Sequence, residues 1–500
     1  MNILKKVRSY HGGRCRFVRT IRLNVLTFAI AYLVGQSVVN AQSSILNFEQ
    51  TIKLAQQYDL QLAKNQFKQK SLIAKSRVAQ AMPLPVASLG LNNLPSDSFR
   101  LNQEAMTQLS VGLSQVFPRG NSRELHARQL TTLSEQYPLL NLDRKAQVAV
   151  LAGKLWLDNF YLAQSIFLIH QNRGLFEQLS DIAEKNYTAA VGQSRQHNIV
   201  AAQLELTRLD DRLTQLKLQQ LRLIEQLSEW ISPAFDLSEN STNQDFTDAQ
   251  MSQQQENAQI KKQLLALNKQ SLVLPEIKLN SPELVTNNLQ HYSSSSLNRY
   301  LLAHPLILSF EKQIEANQIN ESLAKQEEKV QWKLSAGYGF RTSSEQSMMA
   351  DRPDLLSVGI SFDLPWSNSE RQHNQLISAK YQTAASKTEK WQKLREFHAN
   401  FEQVSQAIQI LKQRKKLFTS KLLPQVKAQT ASSLAAYTHD DGNFLDVIQA
   451  RIALLNATLD KLLLDVEEVK LLHQLNYYLI SDSPEKTYQQ SAKLGDKNEQ

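Results

Sequence analysis

Asp446 stands just after the turn "THDDGN" (438–443), near the head of "FLDVIQARIALLNATL" (444–459). A carboxylate there can cap a helix by accepting backbone N–H bonds, or it can hold a charge at the end of a rod. The other chemically able side chains do not converge. His126, His170, His197, His291 and His439 lie far apart, and no HExxH pair brings two imidazoles onto one helix face. Solvated rather than ligating histidines are expected. The chain has no Walker loop and no GxSxG, and "GYG" (337–339) lacks the third glycine of a nucleotide loop. Apart from Met348 and Met349 the methionines are scattered, which argues against a thioether relay for copper. The expectation is a protein that is no enzyme, with no catalytic residue, cofactor or metal site.

Composition points to a different kind of work. Of 500 residues 42% are apolar, yet only 14 are Gly and 13 are Pro, which suits long helices better than many turns. Lys5, Lys6, Arg8, Arg14, Arg16, Arg19 and Arg22 precede the apolar run "VLTFAIAYLV" (25–34), with no acidic residue before Glu49. That run is too short to span a bilayer and is followed by the small-residue end "VNA" (39–41), so a signal peptide over 1–41 is predicted. Its seven basic residues carry most of the formal charge of +9; seven from nine leaves +2 on the exported chain. Nucleic-acid binding is not expected. Cys15, the only cysteine, leaves with the same segment, so no disulfide, thiolate site or lipid-bearing cysteine is expected. No later apolar run is long enough for a transmembrane helix.

The positioning elements announce themselves by repetition. "LSVGLSQVFPRGNS" (109–122) and "LSVGISFDLPWSNS" (356–369) match at eight positions with one offset, 109 to 356. Each is an alternating stretch. Leu109, Val111 and Leu113 oppose Ser110, Gly112 and Ser114; Leu356, Val358, Ile360, Phe362 and Leu364 oppose Ser357, Gly359, Ser361 and Asp363. Each is preceded by another: "ASLGLN" (87–92) and "WKLSAGYGF" (332–340), where Trp332, Leu334, Ala336, Tyr338 and Phe340 oppose Lys333, Ser335, Gly337 and Gly339. Helical periods flank them: 47–82, about 119–190 with a possible kink site at Pro138, and about 199–231 in the first half. In the second half they run over about 297–330, about 367–437 and 444–479. Each half thus reads helix, strand, strand, long helix, helix, as expected of a tandem duplication.

The stretch from about 367 to 437 would be about 105 Å long at 1.5 Å per residue. A rod that crosses a periplasm needs such a length; a globular domain of this size does not. Leu206, Leu213 and Leu227 interleave with Leu209, Leu216, Leu223 and Trp230, and Leu455, Leu459, Leu462, Val466 and Val469 follow the same spacing. Such heptads predict coiled-coil seams. Strands with one apolar and one small-polar face suit a soluble sheet or a transmembrane barrel with a wet lumen. Lipid tolerates only closed barrels, and four strands cannot close one, so in the membrane reading several copies must pool their strands.

The order of elements, "MPLPVASLGLNNLP" (82–95), "LSVGLSQVFPRGNS", the helix entry "AHP" (303–305) and above all "GNFLDVIQARIALLNATL" (442–459) resemble the TolC family of outer-membrane efflux proteins over nearly the whole exported chain. The resemblance implies a mainly α fold with a small β-barrel. A homotrimer would form a 12-stranded outer-membrane barrel continued by a 12-helix periplasmic coiled-coil tunnel. It divides the chain into the signal peptide 1–41, a first repeat 42–231 with strands about 85–117, a connector 232–296, a second repeat 297–480 with strands about 332–365, and a polar tail 481–500. It implies an exit duct in the outer membrane of a Gram-negative bacterium, extending into the periplasm. The partners would be a periplasmic adaptor (membrane fusion protein), an inner-membrane pump of the resistance-nodulation-division (RND) type and outer-membrane lipid, with metal or drug export as candidate traffic. Leu109, Val111, Leu113, Trp332, Tyr338, Val358, Ile360 and Phe362 would face lipid. Asp446, with Gln449 where the family has a second carboxylate and Asn198 at the matching place in the first repeat, would form the periplasmic gate. Gly192, Gln193 and Ser194, with Asp440, Asp441 and Gly442, would form the tips that meet the adaptor. The alternative is a periplasmic coiled-coil adaptor or scaffold without a barrel.

Overall fold

A computed structural model of the chain describes residues 46–188, 196–233, 255–269, 273–279, 294–343, 352–364, 369–439 and 442–480. The predicted signal peptide, the polar tail, most of the connector and the tip residues Gly192, Gln193, Ser194, Asp440 and Asp441 lie outside these segments. No helix among the described residues is long and apolar enough to cross a membrane.

Helices α1 (Phe48–Gln57) and α2 (Leu60–Gln80) replace the single helix expected over 47–82. The reason is two consecutive caps. Asn47 and Gln50 form a reciprocal capping box at the first start, and the Asp59 side chain accepts from the Gln61 amide to start the second. Asp59 is further held by Arg144 at 2.6 Å. Strands β1 (Val86–Asn92) and β2 (Gln108–Phe117) lead into α3 (Ser122–Thr188), whose 67 residues span about 100 Å. Pro138 sits inside α3 without ending it. α4 (Gln196–Ile231) returns along α3: Arg173 pairs with Asp210 at 2.9 Å, and Gln220 donates to Asn159 at 3.1 Å, so the two run antiparallel.

The second half begins with α5 (Ser294–Leu302) and α6 (Pro305–Gln326), again two helices where one was expected over 297–330. His304 divides them. Its Nδ1 accepts from the Leu306 amide as an N-cap, and Pro305 occupies the first helical position, where no donor is needed. Strands β3 (Trp332–Phe340) and β4 (Leu355–Phe362) follow, then α7 (Ser369–Leu417), a π-helical turn at Phe418–Leu422, α8 (Leu423–Thr438) and α9 (Phe444–Tyr478). The π turn precedes Pro424, whose ring would press on the carbonyl four residues back; an extra residue in the turn makes room. α9 runs back along α7 and α8, with Lys415 on Asp465 at 2.7 Å and Thr430 donating to the Ala450 carbonyl at 3.1 Å.

The apolar seams join these hairpins. Ile169, Phe176 and Ala183 of α3, Leu209 and Leu213 of α4, and Phe444, Val447, Leu455 and Leu459 of α9 form one buried cluster. Of the expected heptad positions, Leu209, Leu213, Leu227, Leu455, Leu459, Val466 and Val469 are buried, while Leu206, Leu216, Leu223, Trp230 and Leu462 are only partly covered. Ile224 and Ile231 complete the first seam. A second cluster, Leu297, Leu301, Ile307, Phe397, Phe401, Leu475 and Tyr478, holds α5, α6, α7 and the end of α9 together.

Candidate functional site

All four strands form one antiparallel sheet in the order β1-β2-β3-β4. Each strand joins its long helix at the same end: α2 enters β1, β2 leaves into α3, α6 enters β3 and β4 leaves into α7. That end is fastened by Arg119, whose guanidinium pairs with Glu327 after α6 and with Asp363 after β4. Asp363 Oδ1 also accepts from the Gln331 amide at 2.7 Å. Gly120, next to Arg119, has φ of 45°, a left-handed turn that a Cβ would strain.

The register separates two faces. Leu109 lies opposite Phe340, Val111 opposite Tyr338 and Leu113 opposite Ala336; on β4, Leu356, Val358, Ile360 and Phe362 oppose Tyr338, Ala336, Leu334 and Trp332. Ala87, Leu89 and Leu91 extend the same face across β1. This face is bare: Leu89 is 80% exposed, Leu356 77% and Val358 71%. A contiguous apolar surface of this kind marks an interface with lipid or another apolar partner. Phe117, Trp332 and Phe362 are neighbours across the strands at the stem end, and Tyr338 and Phe340 stand near the loop end. Eight residues along β3 separate Trp332 from Phe340, roughly 26 Å of strand.

The other face is small and polar. Each hairpin places a Ser opposite a Gly twice: Ser88 with Gly112 and Gly90 with Ser110, then Ser335 with Gly359 and Gly337 with Ser357. The hydroxyls of Ser110, Ser335 and Ser357 donate to the carbonyls of Gly90, Gly359 and Gly337 at 3.1, 3.2 and 3.2 Å. A Cβ at Gly112 would stand 2.6 Å from Ser88 Oγ, so the serine fills the space that the glycine leaves. Between hairpins, Gly112 faces Gly337.

At the far end of the helices, Asp446 and Gln449 are exposed one turn apart on α9, whereas Asn198, on α4, is buried. Asp446 does not cap the helix. Asn443 is the cap, accepting from the Leu445 amide at 3.3 Å, and Asp446 occupies the first turn with its side chain exposed. Gly442 is held by close packing: a Cβ there would lie 2.7 Å from the Tyr437 nitrogen and 2.8 Å from the Ala436 carbonyl carbon.

The sequence reading passed over the junction between the stem's middle and its upper part. His304 is fully buried, its Nε2 on the Tyr477 carbonyl at 3.0 Å and its ring against Phe397 and Tyr477. Tyr477 donates to Asp143 Oδ1 at 2.8 Å, and Gln147 donates to Oδ2 of the same carboxylate at 2.8 Å. Burial raises the Asp143 and Tyr477 pKa values and pushes His304 down to about 4. His473 donates to the Ala149 carbonyl at 2.8 Å and is also shifted downward by burial. The "AHP" entry was the one visible signal for His304. Among the described residues no group of three His, Cys, Asp or Glu side chains is placed to hold a metal.

No protein-family model matches the chain, and no curated protein matches it in sequence. Solved structures do resemble it. The outer-membrane channel OprN superposes with a TM-score of 0.65 at 13% identity, covering 87% of this chain and 90% of that one. The Campylobacter jejuni outer-membrane channel CmeC gives 0.64 at 12% identity, with 89% of each chain covered. The outer-membrane protein VceC from Vibrio cholerae gives 0.62 at 14% identity, covering 87% of this chain and 95% of its own. The fold is theirs.

Proposed function

We propose that this chain, with the outer-membrane channel fold that its TolC-family resemblance implies, is the exit duct of an efflux system. Three copies pool their four-stranded sheets into one 12-stranded barrel in the outer membrane of a Gram-negative bacterium. Their helices continue it as a 12-helix tunnel through the periplasm. Substrates pass passively from an inner-membrane pump, of RND type, through a periplasmic adaptor to the outside. The observation that carries this reading is the bare apolar face across all four strands, bounded by two open sheet edges. In water such a face and such edges invite aggregation; in lipid the face is satisfied and the edges must be closed by other copies. A periplasmic scaffold without a barrel would have no use for this face. The test is the protein extracted from outer membranes in detergent. It should run as a trimer by native mass spectrometry and conduct ions in planar bilayers. A single-chain mass, or a protein washed off membranes by carbonate, would sink the barrel.

The hairpin ends are the gate in this reading. The tips, Gly192, Gln193 and Ser194 with Asp440, Asp441 and Gly442, meet the adaptor. Copies of Asp446, exposed at the end of α9, approach a three-fold axis and make a negative ring; Gln449 leaves the next position neutral and Asn198 is turned into the protein. Such a ring favours cations and binds divalent ions. Because Asn443 is the cap, Asp446→Asn removes the charge and leaves the cap in place. The expected result is an intact trimer with weaker block by divalent cations and lower cation preference in bilayers. Block and selectivity unchanged from wild type would remove Asp446 from the gate.

A further inference from the structure

Resting on the pooled-sheet reading, the inference concerns how one copy joins the next. The edges left open are β1 and β4. Within the chain, β2 and β3 already form a contact between one hairpin and the next. The strand sequences repeat at one offset: Ser88 corresponds to Ser335, Gly90 to Gly337, Ser110 to Ser357 and Gly112 to Gly359. β4 is therefore the repeat counterpart of β2, and β1 that of β3. We infer that β4 of one copy pairs with β1 of a second copy in the register that β2 and β3 already show, so that Gly359 faces Gly90, Ser361 faces Ser88 and Ile360 faces Leu89 of the neighbour.

Two independent features support this register. The first is chemical continuity. The observed β2–β3 seam sets Gly112 against Gly337, Ser114 against Ser335 and Leu113 against Ala336. Transferred to the open edges, the same pairing puts Val358 against Leu91 and Phe362 against Ala87 on the apolar face, while on the other Ser361 meets Ser88, Gly359 meets Gly90 and Ser357 meets Asn92. A slip of one residue would turn every side chain to the wrong face.

The second is closure geometry. Ala87 lies opposite Leu113, and Leu113 opposite Ala336, whereas the repeat counterpart of Ala87 is Leu334; crossing one hairpin therefore shifts the strands by two residues. The inferred edge repeats that shift: Leu334 lies opposite Ile360, which then meets Leu89 instead of Ala87. Two residues per two strand spacings tilts the strands by roughly 35° whatever the number of copies, from a rise of about 3.3 Å and a spacing of about 4.8 Å. Membrane barrels tilt by about 35–45°. Moving the new edge by one residue pair keeps the faces and gives roughly 19°, well outside that range, or roughly 46°, at its upper limit; the tilt rules out the first slip, and the repeat of the β2–β3 register decides against the second.

Cysteine pairs read the register directly. In a Cys15→Ser background, Ser361→Cys is combined in turn with Ser88→Cys, Val86→Cys and Gly90→Cys, and Ile360→Cys with Leu89→Cys. Directly opposite pairs alternate between two spacings, so of the pairs 361/88 and 360/89 one is close-spaced. Partners displaced by two residues stand too far apart to bridge readily. Under mild oxidation, 361/88 or 360/89 should give covalent dimers and trimers on denaturing gels, several-fold more than 361/86 or 361/90. Preferential bridging at 361/86 or 361/90 would overturn the register and leave the barrel standing. So would native trimers that bridge at none of these pairs. A monomer in native mass spectra would instead remove the pooled sheet itself.

Discussion

Arginine at Val358 or Ile360 is expected to stop assembly of the barrel, while arginine at Ser357 or Ser361, one residue away, is expected to permit it. Val358 and Ile360 stand on the bare face, 71% and 65% exposed, in the middle of β4. A charge on the lipid face of an outer-membrane barrel costs about 2–4 kcal/mol near the midplane, and a trimer carries each substitution three times. The penalty therefore multiplies to roughly 6–12 kcal/mol per trimer, comparable with the whole stability of an ordinary domain. Ser357 and Ser361 point to the face of Ser and Gly, where water would solvate the guanidinium. Those variants should form trimers whose conductance is lowered by three bulky cations in the lumen. Counting heat-resistant trimers from outer membranes distinguishes the faces. Equal loss on both would contradict the alternation, and equal tolerance would contradict lipid as the partner of the apolar face.

That alternation was legible because a strand's side chains have a period of two, and only Gln115 on the apolar face and Val86, Val116 and Leu355 on the other depart from it. Ser-x-Gly recurs in all four, and the flanking Pro83, Pro85 and Pro118 bound the first pair. The long helices were legible for the complementary reason, a scarcity of Gly and Pro. Where the reading ran on too far, a polar side chain had started a new helix inside an uninterrupted period. Asp59 does so against the Gln61 amide, and His304 against the Leu306 amide. Periodicity is blind to such breaks, because the apolar stripe resumes in phase. The π turn at Phe418–Leu422 was hidden likewise: Pro424 marks a stress in the helix but does not say whether it kinks, ends or widens.

The functional ends were less legible. Asp446 follows a turn, so a cap and a gate charge were both open to it from the sequence; three residues earlier Asn443 takes the cap, with an extended backbone and its own side-chain acceptor. Asn198 occupies the matching place in the first repeat and is buried, so the repeats that agree strand for strand do not present equivalent side chains at the tips. Equivalence is strict where pairing geometry enforces it and loose where the chain turns. The buried junction of His304, Tyr477 and Asp143 left almost no trace in the sequence, since its members lie up to 334 positions apart.

That junction should make the protein sensitive to acid. His304 accepts the Leu306 amide at Nδ1 and donates from Nε2 to the Tyr477 carbonyl, so both nitrogens are used by the neutral ring. A second proton would break the cap and put a cation at a helix N-terminus, among Phe397 and Tyr477. Burial accordingly holds its pKa at about 4 against 6.5 in the free side chain, a shift only partly offset by the Tyr477 bond. A base with a depressed folded pKa lends stability that is complete above 6.5 and disappears as pH falls towards 4. The whole amount is about 3 kcal/mol. His473 acts in the same direction. Asp143 opposes them, because burial raises its pKa and acid therefore favours its folded form; Lys393 and Arg144 moderate that shift. The comparison that isolates His304 is with His304→Asn, since asparagine caps a helix but does not titrate. Unfolding free energies from urea titration of the detergent-solubilised protein should fall between pH 7 and 4.5 in wild type. In the variant, less stable at pH 7 through lost packing, they should fall by about 2–3 kcal/mol less. Parallel curves would show that the ring is protonated in the fold without penalty, and that result would remove His304 as the acid-sensitive pin of the stem.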